Sequence, residues 1–169
     1  YYNKSFKDEI KTRANKSLSS LSSSLNSSLL EILQTNNLLS LDKDLMDIIY
    51  SNDTITPADG YKFNSALATL ACFQSIKQLI DSVYVLNKKD NYVFGSGGKC
   101  PVDKFYDNIH HYSQYDRDFW MNYSVPRNSS YTILPPSLVE NRLMRSSKIV
   151  FPVIQSGIGY KRTENLFVI

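Results

Sequence analysis

Long apolar runs, cysteine and tryptophan are all scarce in this 169-residue sequence, which has two cysteines, one tryptophan, six glycines and six prolines. No run of about 18 apolar residues is present, so no transmembrane helix is predicted within it. Cys72 and Cys100 are too few for a disulfide framework, and their spacing fits no metal motif. Cys72 lies among alanine, leucine and phenylalanine, which predicts a small buried side chain. A bridge between the two cysteines is left open.

A strong excess of charge of one sign is also missing. The formal net charge is +3, from 19 basic and 16 acidic residues that are spread along the chain. Binding to a phosphate backbone needs a stripe of basic residues, so nucleic-acid binding through this segment is not expected. Hydrophobic residues, aromatic ones included, make up 42% of the sequence and suffice for the core of one domain.

Apolar residues in the first part of the chain recur at steps of three and four, which predicts one amphipathic helix of about 33 residues. Such a helix is about 50 Å long at 1.5 Å per residue, longer than a compact domain of this size needs. The apolar positions are Phe6, Ile10, Ala14, Leu18, Leu21, Leu25, Leu29 and Ile32. We therefore assign a long helix to residues 1–40 and a domain to residues 41–169, which together form one structural domain.

Both ends of the sequence are interpreted as cut points. The helical pattern begins without a capping signal. Tyr1 and Tyr2 are typical of the aromatic belt at a membrane interface, although two surface tyrosines would give the same pattern. Residues 164–169 predict a strand that stops in mid-run. We expect the segment to belong to a longer membrane-anchored protein, with an apolar span just before Tyr1.

The remaining pattern predicts helices followed by strands. Residues 41–50 indicate a short helix, and Thr56 with Pro57 marks the start of another that runs to about Ile80. A short amphipathic helix is predicted after Cys100. The predicted strands are a hairpin over residues 82–95 and single strands at residues 131–134, 148–155 and 162–169.

The predicted fold class is α+β. The turns between strands are too short for parallel crossovers, which favours an antiparallel sheet of about five strands with the helices on one side. Pro152, inside the predicted fourth strand, indicates an edge position or a bulge because proline cannot donate to a ladder.

Catalytic signatures are missing as well. His110 and His111 are adjacent and therefore point in different directions, so they cannot easily share a metal and are expected to be a solvated surface pair. The glycine-rich residues 95–98 lack the spacing of a phosphate-binding loop and predict a flexible turn. No nucleophile-elbow or zinc-protease motif is present. We expect a binding module without a cofactor or metal, not an enzyme.

One segment, residues 112–123, gathers the only tryptophan with tyrosine, phenylalanine and arginine. Aromatic faces give rigid contact area, and a guanidinium group orients polar or carboxylate ligands, so this mixture suits the wall of a pocket. The alternative is that Phe119 and Trp120 anchor a loop on the core while Arg117 pairs with Asp116 or Asp118 at the surface. The sequence does not separate these two interpretations.

The order of elements resembles that of a Cache (PAS-like) extracellular sensor domain, of the kind found in membrane-bound AraC-type transcriptional regulators and in sensor histidine kinases of Gram-positive bacteria. The resemblance covers nearly the whole chain. It depends on the long first helix, on the second helix leading into residues 81–86, and on segments 93–98, 117–120, 133–137, 149–154 and 166–169.

This resemblance implies a ligand held against the sheet beneath a cover of loop and helix. In the amino-acid-binding members, an aromatic–arginine–tryptophan signature lies in that cover, and Tyr115, Arg117, Trp120 and Tyr123 fall in the corresponding region here. Arg117 and Trp120 are separated by two residues where the signature has one. The resemblance therefore implies a small-molecule pocket at these four residues without identifying its ligand.

Three functions remain as hypotheses. The first is the extracytoplasmic sensor of a membrane-bound AraC-type transcriptional regulator in the cell membrane. The second is the sensor of a histidine kinase or chemoreceptor, which differs only in its cytoplasmic output. The third is a ligand-free module that forms a homodimer through the long helix, and it predicts a filled sheet face without a pocket beside Trp120.

Overall fold

The computed structural model describes residues 2–39, 41–50, 60–76, 80–126, 129, 131–156 and 165–169. The chain divides into two compact units, residues 1–35 and residues 36–169, which are described separately. The fold class is α+β, as predicted. None of the helices among the described residues is both long enough and apolar enough to cross a lipid bilayer.

The first helix, α1, runs from Tyr2 to Leu39 and confirms the prediction of one long helix. Its 38 residues correspond to about 57 Å at 1.5 Å per residue. The apolar side chains of the stripe are exposed over its first three quarters, at Phe6, Ile10, Leu18, Leu21 and Leu25. The side chains of Tyr1 and Tyr2, to which a membrane-interface position was assigned, lie outside the described residues.

Two shorter helices open the second unit, α2 (Lys43–Tyr50) and α3 (Gly60–Ile76). The Asp42 carboxylate joins them, because Oδ1 accepts the Leu45 N–H at 2.8 Å and Oδ2 accepts the Thr69 hydroxyl at 2.8 Å. The first bond satisfies a free N–H in the first turn of α2, as an N-cap does. The predicted start of α3 at Thr56 and Pro57 lies outside the described residues.

The expected burial of Cys72 is wrong. Cys72 lies on an exposed part of α3, and Cys100 is partly buried; both are free thiols. The residues around Cys72 are apolar, but only one face of α3 is buried, and Ala66 and Leu70 occupy that face.

The described residues form two antiparallel sheets. One has six strands in the order β3-β2-β1-β9-β8-β5, and the other has three in the order β4-β6-β7. The strands are β1 Tyr84–Asn87, β2 Tyr92–Gly95, β3 Gly98–Pro101, β4 His111–Tyr112, β5 Tyr131–Ile133, β6 Ser137–Asn141, β7 Ser146–Val150, β8 Val153–Ser156 and β9 Asn165–Val168.

The sheet prediction is right in its antiparallel character and wrong in detail. The hairpin of β1 and β2 is confirmed, and the glycine-rich residues form the two-residue turn into β3, with Gly98 at φ 100°. The single strand predicted at residues 148–155 is two strands in different sheets, β7 and β8. Pro152 separates them because it has no N–H to donate to a ladder.

Both faces of the large sheet are covered, so the prediction of helices on one side is wrong. Alternate residues of β1 point to opposite faces. Asn87 and Tyr92 face α2, where Asn87 Nδ2 and the Tyr92 hydroxyl donate to the Ile49 carbonyl at 3.3 and 3.1 Å. Tyr84 and Leu86 face the other way, into the hydrophobic core that contains Trp120.

A substitution at Leu86 tests the central position of β1 in this core, because the Leu86 side chain is fully buried. We expect Leu86→Ala to lower the free energy of unfolding by about 2–5 kcal/mol, the usual cost of a cavity at a buried leucine. Leu143→Ala is the matched control, because Leu143 is 71% exposed, and it should change the value by less than about 0.5 kcal/mol. Urea denaturation measures both; equal effects would contradict the assigned core.

Candidate functional site

Residues 102–123, which we call the cover, lie over the face of the large sheet that carries Tyr84. Helix α4 (Val102–Lys104) continues into a π-helical segment, Phe105–Ile109, and α5 (Arg117–Asn122) follows β4. The π-helical segment closes with a bond from the His110 N–H to the Phe105 carbonyl at 2.8 Å. Its wider turn brings the rings of Phe105 and His110 into a stack, with centroids 5.6 Å apart. Such turns are rare and are frequent at functional sites.

The start of α5 fixes which side chains enter the core. Asp116 is the N-cap, and its Oδ1 accepts the Phe119 N–H at 2.7 Å. With the helix started there, Trp120 turns inward and is fully buried, whereas Arg117 and Asp118 in the first turn are exposed.

Aromatic rings fill the space between the cover and the sheet. Trp120 stacks on Tyr106, with ring centroids 5.4 Å apart and planes 7° from parallel. Tyr112 contacts Trp120 at 5.0 Å, and Tyr84 of β1 contacts Phe105 at 4.8 Å. We call this set the aromatic cluster; its members are Tyr84, Phe105, Tyr106, His110, Tyr112, Tyr115, Phe119, Trp120 and Tyr123.

The polar atoms of the aromatic cluster are only partly satisfied. The hydroxyls of Tyr84 and Tyr112 bond to each other at 3.1 Å. Trp120 Nε1 is buried and has no hydrogen-bond partner among the described residues. The buried Tyr106 hydroxyl makes no hydrogen bond of normal geometry there, and its polar neighbour is the Tyr84 hydroxyl. Burial is the main cause that raises the pKa of Tyr84, Tyr106 and Tyr112 well above 10.0. These phenols therefore stay neutral at physiological pH, where they donate or accept hydrogen bonds.

His110 is the one histidine of the aromatic cluster and is only 7% exposed, so the expectation of a solvated pair is wrong for it. Burial lowers the pKa of His110 from 6.5 to about 4; Asp81 opposes this change and Lys148 adds to it. Asp81 and Lys148 form a salt bridge beside the imidazole. The ring is therefore neutral at pH 7 and supplies no positive charge to the site.

Three of the four predicted ligand residues are joined by ring contacts. Tyr115 is 9% exposed, and its hydroxyl donates to the Pro135 carbonyl at 3.0 Å. Its ring lies 6.0 Å from that of Trp120. Tyr123 is partly exposed and packs on Phe119 at 5.3 Å, and its carbonyl accepts a hydrogen bond from the Lys88 ammonium.

The fourth residue, Arg117, does not join this group. Its guanidinium lies 3.4 Å from Asp118 Oδ1, and about half of its side chain is exposed. This is the loop-anchoring arrangement that the sequence left open beside the pocket. The role of the four residues in binding a ligand stays a prediction.

Sequence reasoning missed Tyr84, Tyr106 and His110 as members of the site, and it included Tyr112 in the aromatic segment without naming it as a ligand residue. Tyr84 and Tyr112 carried an ordinary signal of core packing, and the π-helical turn that places His110 inside has no recognised sequence signal. Over the part of the chain that the structure describes, no group of three or more His, Cys, Asp or Glu residues could hold a metal ion.

Comparison with models of protein families, with curated proteins and with solved structures finds no match for this chain. The chemistry of the site and the resemblance to a Cache domain are therefore the observations that bear on function.

The burial of a neutral imidazole predicts a pH dependence of stability. Between pH 6.5 and about 4 the unfolded chain binds a proton at His110 and the folded chain does not, so stability decreases as the pH falls. We expect this group alone to lower the free energy of unfolding by roughly 2–3 kcal/mol from about pH 7.5 to about pH 4.5.

Urea titrations at the two pH values, on the parent and on His110→Gln, measure this contribution. The loss of stability on acidification should be smaller in His110→Gln than in the parent by that amount. His111→Gln is the matched control, because it retains His110 and should keep the steep dependence. Identical pH dependence in the parent and His110→Gln would show that the imidazole is not buried in its neutral form.

Proposed function

We propose that this chain is the extracytoplasmic sensing domain of a membrane-bound bacterial transcriptional regulator of the AraC type, with a small-molecule site beneath the cover. The resemblance to a Cache domain motivates this function. An antiparallel sheet with helix and loop over one face supports it, since that is the arrangement the resemblance implies. In this proposal the parent protein is anchored in the cell membrane, and the domain binds no nucleic acid.

The observation that carries the proposal is the buried indole N–H of Trp120 beneath the cover, which has no hydrogen-bond partner among the described residues. An indole N–H can only donate a hydrogen bond, so only an acceptor can satisfy it. A buried donor without a partner costs about 1–3 kcal/mol. A ligand that brings an acceptor to this point gains that bond, whereas the protein alone leaves it unmade.

The site favours a neutral acceptor over a carboxylate. His110 is neutral at pH 7 because its pKa is about 4, and Arg117 faces Asp118 at the surface. A charged ligand beside Trp120 and Tyr106 would be buried against neutral rings, at a large cost in free energy unless it is paired. The Lys88 ammonium at the edge of the cover already donates to the Tyr123 carbonyl. We therefore propose an uncharged ligand with an amide, carbonyl or hydroxyl acceptor and a flat apolar part that can stack on the rings.

Binding there requires the cover to move, and its movement supplies the signal. Backbone bonds tie the middle of the cover to the small sheet, through the pairing of β4 with β6 and the bond from the Ser113 N–H to the Leu138 carbonyl. The side chains of α5 are held mainly by ring contacts, so α5 is the part of the cover that we expect to move. A ligand shifts the protein between two positions of the cover only by binding one of them more tightly. The sensor of a histidine kinase or chemoreceptor would operate in the same way.

A second candidate function is the ligand-free homodimerisation module. The full burial of Trp120 against Tyr106 favours it, because that hypothesis predicts a filled sheet face. The exposed apolar stripe of α1 provides a surface for a second copy. Its residues from Phe6 to Ile32 recur about every 3.7 residues, a period that favours a right-handed supercoil.

A thermal-shift series separates these two functions. The compounds are tested in matched pairs. The two members of a pair share the same ring, and one carries a neutral amide where the other carries the corresponding carboxylate. We expect amides to raise the melting temperature of the parent by several degrees at saturation, with carboxylates weaker. Tyr106→Phe removes a single hydroxyl and should reduce the shift, whereas Arg117→Ala, a surface change, should keep it.

The size of the shift follows from linkage. A ligand at one hundred times its Kd stabilises the folded state by about 2.7 kcal/mol, enough for a shift of several degrees in a domain of this size. A compound that stabilises Tyr106→Phe as strongly as the parent would place its site elsewhere. Loss of the shift in Arg117→Ala would restore the arginine to the site and remove the preference for neutral ligands.

A further inference from the structure

Exposed apolar side chains in the second unit concentrate on the hairpin of β6 and β7. Leu143 and Met144 at its turn are 71% and 79% exposed, and Ile149 and Phe151 near its base are 71% and 62% exposed. Single exposed apolar residues are ordinary, but several together mark a surface that contacts something.

In the turn, residues 142–145, one basic residue stands on each side of the two apolar ones. We call these four residues, Arg142, Leu143, Met144 and Arg145, the hairpin tip. Residues 137–150 contain three basic residues and one acidic residue. Lys148 is paired with Asp81, and Arg142 Nε lies 3.9 Å from Glu140 Oε2. No salt bridge of Arg145 is found among the described residues. Arg145 therefore provides the positive charge of the hairpin tip beside exposed apolar surface.

The hairpin tip is held in a defined shape. The Met144 N–H donates to Asn141 Oδ1 at 2.9 Å and closes the turn. Arg142 connects the turn to the cover, because its backbone N–H donates to the Asn108 carbonyl at 2.8 Å and its Nη1 donates to the Asp107 carbonyl at 3.0 Å. With the turn fixed by these bonds, Leu143 and Met144 project from its end without needing to be ordered on binding.

The charge and shape select among occupants. A second copy of the chain would bring like charges together, which opposes pairing of two hairpin tips. A protein partner needs an interface of about 800 Å² on each side, more than two side chains on a convex turn provide. A lipid interface accepts a convex apolar tip, and anionic headgroups attract the flanking Arg145.

We propose that the hairpin tip docks onto an anionic lipid surface, with Leu143 and Met144 in the interface and Arg145 against the headgroups. The proposal does not depend on a ligand beneath the cover. Each basic residue near an anionic bilayer strengthens binding roughly fivefold. Removal of both apolar side chains should weaken it by at least about tenfold.

Vesicle sedimentation tests the proposal on the full chain. The vesicles contain phosphatidylglycerol in phosphatidylcholine, or phosphatidylcholine alone. The parent should bind the anionic vesicles more tightly than the vesicles of phosphatidylcholine alone, and this difference should become smaller at high salt. Leu143→Ser with Met144→Ser should lose at least about tenfold, and Arg145→Gln should lose mainly the preference for anionic lipid.

The matched control is Ile149→Ser with Phe151→Ser, which removes similar apolar surface from the base of the same hairpin and should bind as the parent does. Helix α1 also exposes apolar side chains, but it is identical in all variants, so the difference between them reports the hairpin tip. Thermal midpoints close to that of the parent verify that each variant is folded.

A second measurement observes the insertion directly. Met144→Trp places a fluorophore at the hairpin tip, and the only natural tryptophan, Trp120, is buried elsewhere in the core. The additional emission of the introduced fluorophore should shift to the blue on anionic vesicles and be quenched by brominated lipid. Equal binding by the parent and the double tip variant, or an unshifted emission, would overturn the proposal.

Discussion

The stacking of Trp120 on Tyr106 is the interaction on which the position of the cover depends. The two rings are nearly parallel at 5.4 Å, one from α5 and the other from the π-helical segment. They join the two halves of the cover to each other, and Tyr112 and Tyr84 join them to the sheet. Burying rings of this size stabilises the packing strongly, whereas the unpaired indole N–H of Trp120 opposes it. The same contact therefore holds the cover in place and leaves it incompletely satisfied.

Strand β1 connects this site to the helices on the other face of the sheet. Tyr84, at the start of the strand, belongs to the aromatic cluster, and Asn87, at its end, donates to the Ile49 carbonyl of α2. Because β1 lies between β2 and β9, all four of its residues are buried. A change in the cover that shifts Tyr84 therefore acts on a strand that also contacts α2. This connection gives the proposed sensor a physical route from ligand to helix layer within the second unit.

The parts of the fold that the sequence predicted are those with a strong local signal. The stripe of apolar residues from Phe6 onward gave α1, and the alternating residues on either side of the Lys88 turn gave the hairpin of β1 and β2. The missed elements lack such a signal. β4 has two residues, the split between β7 and β8 depends on the missing N–H of Pro152, and the exposure of Cys72 depends on which face of α3 is covered.

The sequence predicted part of the aromatic cluster, and the role of its residues in binding a ligand stays a prediction. The aromatic residues of segment 112–123 pointed to Trp120 and Tyr115, which the structure brings together. Arg117 appeared equivalent to them in the sequence, but the N-cap at Asp116 begins α5 so that Arg117 faces solvent. Tyr84 and Tyr106 come from other elements than Trp120, and His110 enters the core through a π-helical turn. The periodicity of the sequence therefore could not predict that these residues lie near Trp120. These tertiary contacts are the basis for proposing a neutral acceptor, where the sequence left a polar or a carboxylate ligand open.

The indole N–H of Trp120 offers the most direct measurement of this account. The sequence has one tryptophan, so ¹⁵N-labelled protein gives one indole resonance. On titration with an amide that stabilises the protein, we expect the indole proton to move downfield as it gains an acceptor, together with shifts in α5 and β1. A stabilising ligand that leaves the indole resonance unchanged and shifts residues elsewhere would contradict a binding site beneath the cover.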